Sequence, residues 1–164
     1  MSSTTIWHFI LWIHYLALGL WTGGIVFCSF VAAPAVHRSL ATRAVAGQIV
    51  GALLKRLNAI EFFCCLLLLL TSLSALRFVI DRVVGILFLI LLFMIMGGAV
   101  CIYAFYLTPL MESLKEKIPT LDALSTNHED KKKFDRMHRL YVRLMGLNLI
   151  LGLFALYVSI MIFH

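Results

Sequence analysis

The sequence predicts an all-α integral membrane protein: an antiparallel four-helix transmembrane bundle with an amphipathic interfacial helix before or continuous with the second span. Three observations carry this. Hydrophobic residues make up 62% of the 164 residues and charged residues 13%, a balance that in a soluble domain would leave apolar surface facing water. Four apolar runs are each long enough to cross ~30 Å of hydrocarbon at about 20 residues per crossing, and with one polar loop they fill residues 1–164 as a single membrane domain. The basic residues flank these runs instead of forming a face of their own. The net charge of +6 is therefore a topology signal and excludes a nucleic-acid surface.

The first span covers about 6–33, with Trp7 and Trp12 in its first turns, where amphipathic rings favour the water interface. No basic n-region or small-residue cleavage site precedes it, so it is expected to remain in the mature protein. Pro34 ends or kinks it. In the loop 34–56, Ala41, Ala44, Ala46, Gly47, Gly51 and Ala52 oppose Leu40, Ile49, Val50, Leu53 and Leu54, and Lys55-Arg56 closes the segment, the pattern of an interfacial helix. The second span, 57–76, reaches a short outer turn at 77–82, and the third, 83–107, stops at Pro109. So short a turn makes the second and third spans an antiparallel hairpin. The loop 108–139 holds most of the charge. Asn127 with Asp130 marks a helix start that runs into the fourth span, 140–163. No internal repeat at a fixed period stands out.

Of the lysines and arginines, four lie between the first and second spans, two between the second and third, and eight between the third and fourth when Arg143, one turn into the fourth, is counted with them. By the positive-inside rule the first and third loops face the cytoplasm and both termini face outward, as in a multi-pass protein of a bacterial inner membrane. Cys28, Cys64, Cys65 and Cys101 all fall in apolar runs without CxxC spacing and read as small buried hydrophobes.

Polar groups inside a span are costly and normally turn toward the bundle interior. Here they are His14, Asn58, Glu61, Arg143 and Asn148, with His37 and His138 near the cytoplasmic boundary. His14, Ala17, Trp21, Gly24 and Cys28 recur at steps of three and four along one stripe. Gly19, Gly23 and Gly24 allow close helix approach, either for packing or for a flat ligand. Two readings of His14 stand: a histidine hydrogen-bonded to a neighbouring helix, or a ligand of haem or metal. Helix rise sets it level with Phe93 to Met96 and with Ser72, which makes Met94 and Met96 the nearest soft ligands. His37 is too far along the same helix to share its site, but can share one with His138.

On the fourth span His138, Tyr141, Met145, Asn148 and Gly152 form one stripe, and Arg136, Arg139 and Arg143 another. Arg143 lies one turn inside the apolar boundary, level with Glu61. Glu61 is expected to pair with Arg143 or His138, either as a structural ion pair that sets register or as part of a proton or metal site with His37 and His138.

The run of His14, Trp21, Gly23-Gly24, Ala33-Pro34, His37-Arg38, Ala46-Gly47, Phe134 and Met137-His138-Arg139 resembles an uncharacterised four-span family. That family is the domain of unknown function related to the eukaryotic transmembrane protein of the cisplatin-resistance type. The first-helix pattern is also similar to the wider group of copper resistance protein D and the HemJ-type protoporphyrinogen oxidase. That resemblance implies a haem or metal role for His14. HemJ-type proteins use a lysine on a later helix, and no span of this sequence contains one.

Two functions follow. One is a small membrane protein binding haem b or copper near His14, with a cytoplasmic cluster of His37, Glu61 and His138. Polar layers at two depths would suit passage of a proton or ion. The other is an accessory or structural subunit that packs against a membrane-protein partner or self-associates through its glycines. An enzyme is the less favoured reading, because the chain lacks paired carboxylates, a nucleophile with its base, and a phosphate loop.

Overall fold

The computed structural model describes residues 3–117 and 129–163. Among them there is no strand, and the chain is a bundle of four helical rods long and apolar enough to cross a membrane. The first rod is α1 (Ser3–Val26), a π-helical segment (Phe27–Ala32) and α2 (Ala33–Ser39). The second is α3 (Arg43–Ala75), whose start is capped by the Thr42 hydroxyl accepting from the Val45 N–H at 3.4 Å. A 3-10 turn (Ile80–Arg82) leads into the third rod: α4 (Val83–Cys101), a π-helical segment (Ile102–Leu107) and α5 (Thr108–Lys117). The fourth is α6 (Glu129–Phe163). The expected helix start at Asn127, and the loop residues 118–128, lie outside the described residues.

The expected interfacial helix is the first part of α3 and runs without a break into the second span. Neither proline ends its rod. Pro34 and Pro109 have no N–H to give and would press on the carbonyl four residues back. Both rods absorb this by widening to π-helix just before the proline. Ala33 N–H reaches back to the Cys28 carbonyl and Thr108 N–H to the Tyr103 carbonyl, which also accepts from the Thr108 hydroxyl at 2.8 Å. The rods then continue as α2 and α5, so most of what read as loop at 34–56 is helix.

α1 packs on α3 and α6, and so does α4, which puts α1 and α4 at diagonal corners. The two halves of the chain repeat one another. The π-helical segments lie 75 positions apart, and each buried residue of α4 (Ile86, Leu89, Leu92, Phe93, Met96, Val100) stands 75 positions after a buried residue of α1 (Leu11, His14, Ala17, Leu18, Trp21, Ile25). On α3 and α6 the offset is 87. Asn58, Glu61, Cys65, Leu68 and Ser72 match Met145, Asn148, Gly152, Ala155 and Ser159, all buried. The difference comes from the longer second loop. Both halves enter from the face that holds the termini, so their relation is a pseudo-twofold along the bundle axis. A sequence comparison could have found it in Gly23, Phe30 and Pro34, which recur 75 positions on as Gly98, Phe105 and Pro109.

The equivalent contacts α3–α4 and α1–α6 are both closed by a glycine. A Cβ on Gly97 would stand 2.6 Å from Cys65 Sγ, and one on Gly152 2.6 Å from Thr22 Cγ2. Gly24 serves the α1–α3 contact, 2.8 Å from Leu57 Cδ1, whereas Gly19 and Gly23 meet nothing within 4 Å. At the terminal face Trp7 stacks on Phe78 at 5.3 Å and meets Phe163 edge-on at 5.5 Å.

Gly97→Ala should lower thermal stability in detergent by about 1–3 kcal/mol through overpacking. Cys65→Ala should restore most of that loss, and Gly98→Ala, whose Cβ meets nothing within 4 Å, should cost little.

Candidate functional site

Polar side chains in the bundle interior fall into two layers. The layer toward the terminal face centres on His14, which is buried on α1. Its Nδ1 lies 2.9 Å from Thr71 Oγ1 and its Nε2 3.0 Å from Ser159 Oγ. The Thr71 hydroxyl donates to the Leu67 carbonyl at 2.9 Å, so its oxygen accepts from His14 Nδ1–H. Ser159 O–H then donates to Nε2, and His14 is a neutral imidazole with both nitrogens engaged. Phe93, Phe163 and Tyr15 surround the ring at centroid distances of 5.7, 5.3 and 5.7 Å.

These bonds decide how well haem or copper suits this position. No ring lone pair is left for a metal, and the neighbouring hydroxyls of Thr71 and Ser159 are poor partners for a soft ion. Met94 is 57% exposed and turns away from the bundle, while Met96 is buried in the core one layer further in. The residues around His14 therefore do not fit a haem or copper centre. Ser72, next to Thr71, is buried with its hydroxyl unpartnered. The repeat explains the orphan. Ser72 is the counterpart of Ser159, but the counterpart of His14 is Leu89, which has no polar atom to offer.

The second layer lies eleven residues along α3, about 16 Å toward the loop face at 1.5 Å per residue. Glu61 is fully buried there. Its Oε2 accepts from the Tyr103 hydroxyl at 2.7 Å, and Tyr103 in turn accepts from Asn148 Nδ2 at 3.2 Å. Asn148 Nδ2 also donates to the Met96 carbonyl at 3.1 Å. The Trp21 N–H is turned toward the Glu61 carboxyl without completing a hydrogen bond. One turn closer to the loop face, Tyr141 donates to Asn58 Oδ1 at 2.8 Å, and its ring stands 5.1 Å from that of Tyr103. Glu61 Oε1, Asn148 Oδ1 and Trp21 Nε1 are buried without a partner.

Among the described residues no basic side chain joins this layer. Arg143 is exposed on the outside of α6, on the same side as Arg136 and Arg139, so the expected Glu61–Arg143 ion pair is absent and Tyr103 holds the carboxyl instead. His37 and His138 are exposed, and Phe134 stacks on His138 at 6.3 Å. The expected cluster of His37, Glu61 and His138 is therefore not assembled: the two histidines are exposed near the loop face, and Glu61 is buried in the core. Among the described residues no group of three or more His, Cys, Asp or Glu could hold a metal ion.

Tyr103 was missed in the sequence because a tyrosine in an apolar run reads as interface or packing. Its signal was its place in the repeat, six residues before Pro109 as Cys28 is before Pro34. Thr71 and Ser159 were missed because one hydroxyl barely interrupts a helical apolar pattern.

A family described as "Domain of unknown function (DUF4149)" matches residues 16–120, well over half of the chain. The chain belongs to that family. The part matched to DUF4149 includes Trp21, Glu61 and Tyr103. No curated protein and no solved structure matches the chain.

Thr71→Val and Ser159→Ala should each destabilise the protein by about 1–3 kcal/mol, since each strands one nitrogen of a buried imidazole. In a thermal-shift double-mutant cycle, Glu61→Gln and Tyr103→Phe should be coupled, while Glu61→Gln and Arg143→Gln should be additive.

Proposed function

We propose that this protein binds and releases a proton, or a small cation in its place, at Glu61 within the membrane. The observation that carries the proposal is a fully buried carboxyl with no basic partner and one oxygen unbonded. An ionised carboxylate in such surroundings costs several kcal/mol unless a counter-charge meets it, so the group carries a proton or holds a cation. An ionisable residue inside a span is a functional-site candidate by default. Glu61 also lies where the two repeats meet, the usual place for binding sites in membrane proteins built from repeats. Two π-helical segments flank it, carrying Cys28 and Tyr103, and such segments recur at functional sites. With twelve of the fourteen Lys and Arg on the loop face, the proposal sets that face in the cytoplasm of a bacterial inner membrane.

A second reading, self-association or docking to a membrane partner, is favoured by Gly19 and Gly23, which stand exposed one turn apart on α1. It is compatible with the first. Gly19→Ile with Gly23→Ile should convert any detergent-stable dimer to monomer in light scattering.

The infrared spectrum of the purified protein tests the first reading. A carboxylic-acid C=O band that shifts in D₂O is expected, lost in Glu61→Gln and displaced in Tyr103→Phe. If the band survives in Glu61→Gln, the proposal fails. A Soret band abolished by His14→Ala would instead revive the haem role implied by the likeness to HemJ-type proteins, with His14 freed from Ser159.

A further inference from the structure

We infer that Glu61 exchanges its proton with the loop face alone, and that a dry plug isolates it from the terminal face. The inference rests on the reading of Glu61 as a proton site. Toward the loop face a polar group occurs at every turn of α3. Asn58, bonded to Tyr141, lies one turn from Glu61, and Lys55, in an exposed ion pair with Glu112 at 3.2 Å, lies about one turn beyond. Glu61 is thus about 9 Å of helix from a charge in contact with water.

Toward the terminal face the next polar side chains of α3 are Thr71 and Ser72, about 15–16 Å away. The cross-section between is filled by Leu18, Leu68, Phe93 and Ala155, all fully buried, and is drawn tight by the contacts of Gly97 with Cys65 and Gly152 with Thr22. Two side chains in the plug carry polar hydrogens, and both are committed to backbone. Thr22 donates to the Leu18 carbonyl at 2.8 Å and Cys65 to the Phe93 carbonyl at 3.6 Å. A bridging water needs two to four polar partners, and this level offers none.

The groups facing Glu61 are Trp21 and Cys28 on the first rod, Asn58 and Cys64 on its own helix, Tyr103 on the third, and Tyr141 and Asn148 on the fourth. None is basic, so the proton comes from loop-face water and returns to it. His14 belongs to the other compartment.

Trp21 reports the event, because its N–H is turned toward the carboxyl. The chain has three tryptophans, so Trp7→Phe with Trp12→Phe leaves Trp21 as the sole indole emitter. This variant is reconstituted in one orientation into vesicles with impermeant buffer inside, and the external pH is jumped. The jump is repeated on vesicles of the opposite orientation. A jump on the loop side should shift Trp21 emission, one on the terminal side should not, and adding Glu61→Gln should abolish the response. Opening the plug with Leu68→Ser should create a terminal-side response. A terminal-side response in the parent overturns the one-sided access while leaving Glu61 as a proton site. No response from either side overturns the access, and if the infrared band is also unchanged by Glu61→Gln, the proton site falls with it.

Discussion

Lipid offers no hydrogen bonds, and that constraint governs every polar atom inside this bundle. A group buried there must find its partner on another helix, on its own backbone, or in something bound. Thr22, Thr71 and Ser74 take the backbone route, each donating to the carbonyl four residues back. His14 takes the interhelical route and is satisfied twice. Glu61 is satisfied at one oxygen only. The fold therefore contains one layer whose ionisable side chain is fully bonded and one whose ionisable side chain is not. They call for different explanations: His14 ties α1 to α3 and α6, whereas the Glu61 layer has capacity left over.

The two prolines have a related effect. Each would leave backbone carbonyls unpaired in a medium that penalises this, and the i to i−5 register restores the pairing. The adjustment widens the helix just before the proline. On the third rod this turn carries Tyr103, which reaches Glu61 and Asn148 together. A local backbone repair thus sits beside the group that holds the buried carboxyl.

Much of the architecture was legible in the sequence, because apolar run length and the placement of basic residues are direct readings of bilayer thickness and interface. The interior stripes were legible too: Ala17 and Trp21 on α1, and Tyr141, Met145, Asn148 and Gly152 on α6, are all buried. Pairing was harder to read. Depth arithmetic set His14 level with Phe93 and Ser72, and the ring does meet Phe93, but its hydrogen bond goes to Thr71, one residue away. Arg143 was expected at the depth of Glu61, but the repeat sets Glu61 level with Asn148, five residues further along α6, and Arg143 also points outward, a rotation that depth arithmetic does not report. The outward turn suits a guanidinium whose long stem can lift its charge to the headgroups. Glu61 has a shorter stem and, from inside the bundle, no such escape.

The repeat gives the two halves equivalent positions but not equivalent residues. Glu61 faces Asn148 across the axis, and His14 is matched by Leu89. Two separate copies of one hairpin would be bound by symmetry to place like beside like: two carboxyls around one axis, repelling each other unless they shared a proton. Joining the halves in one chain lifts that obligation. One half can keep the acid while the other supplies a neutral amide on a shorter stem, and the pair of equivalent positions holds a single carboxyl.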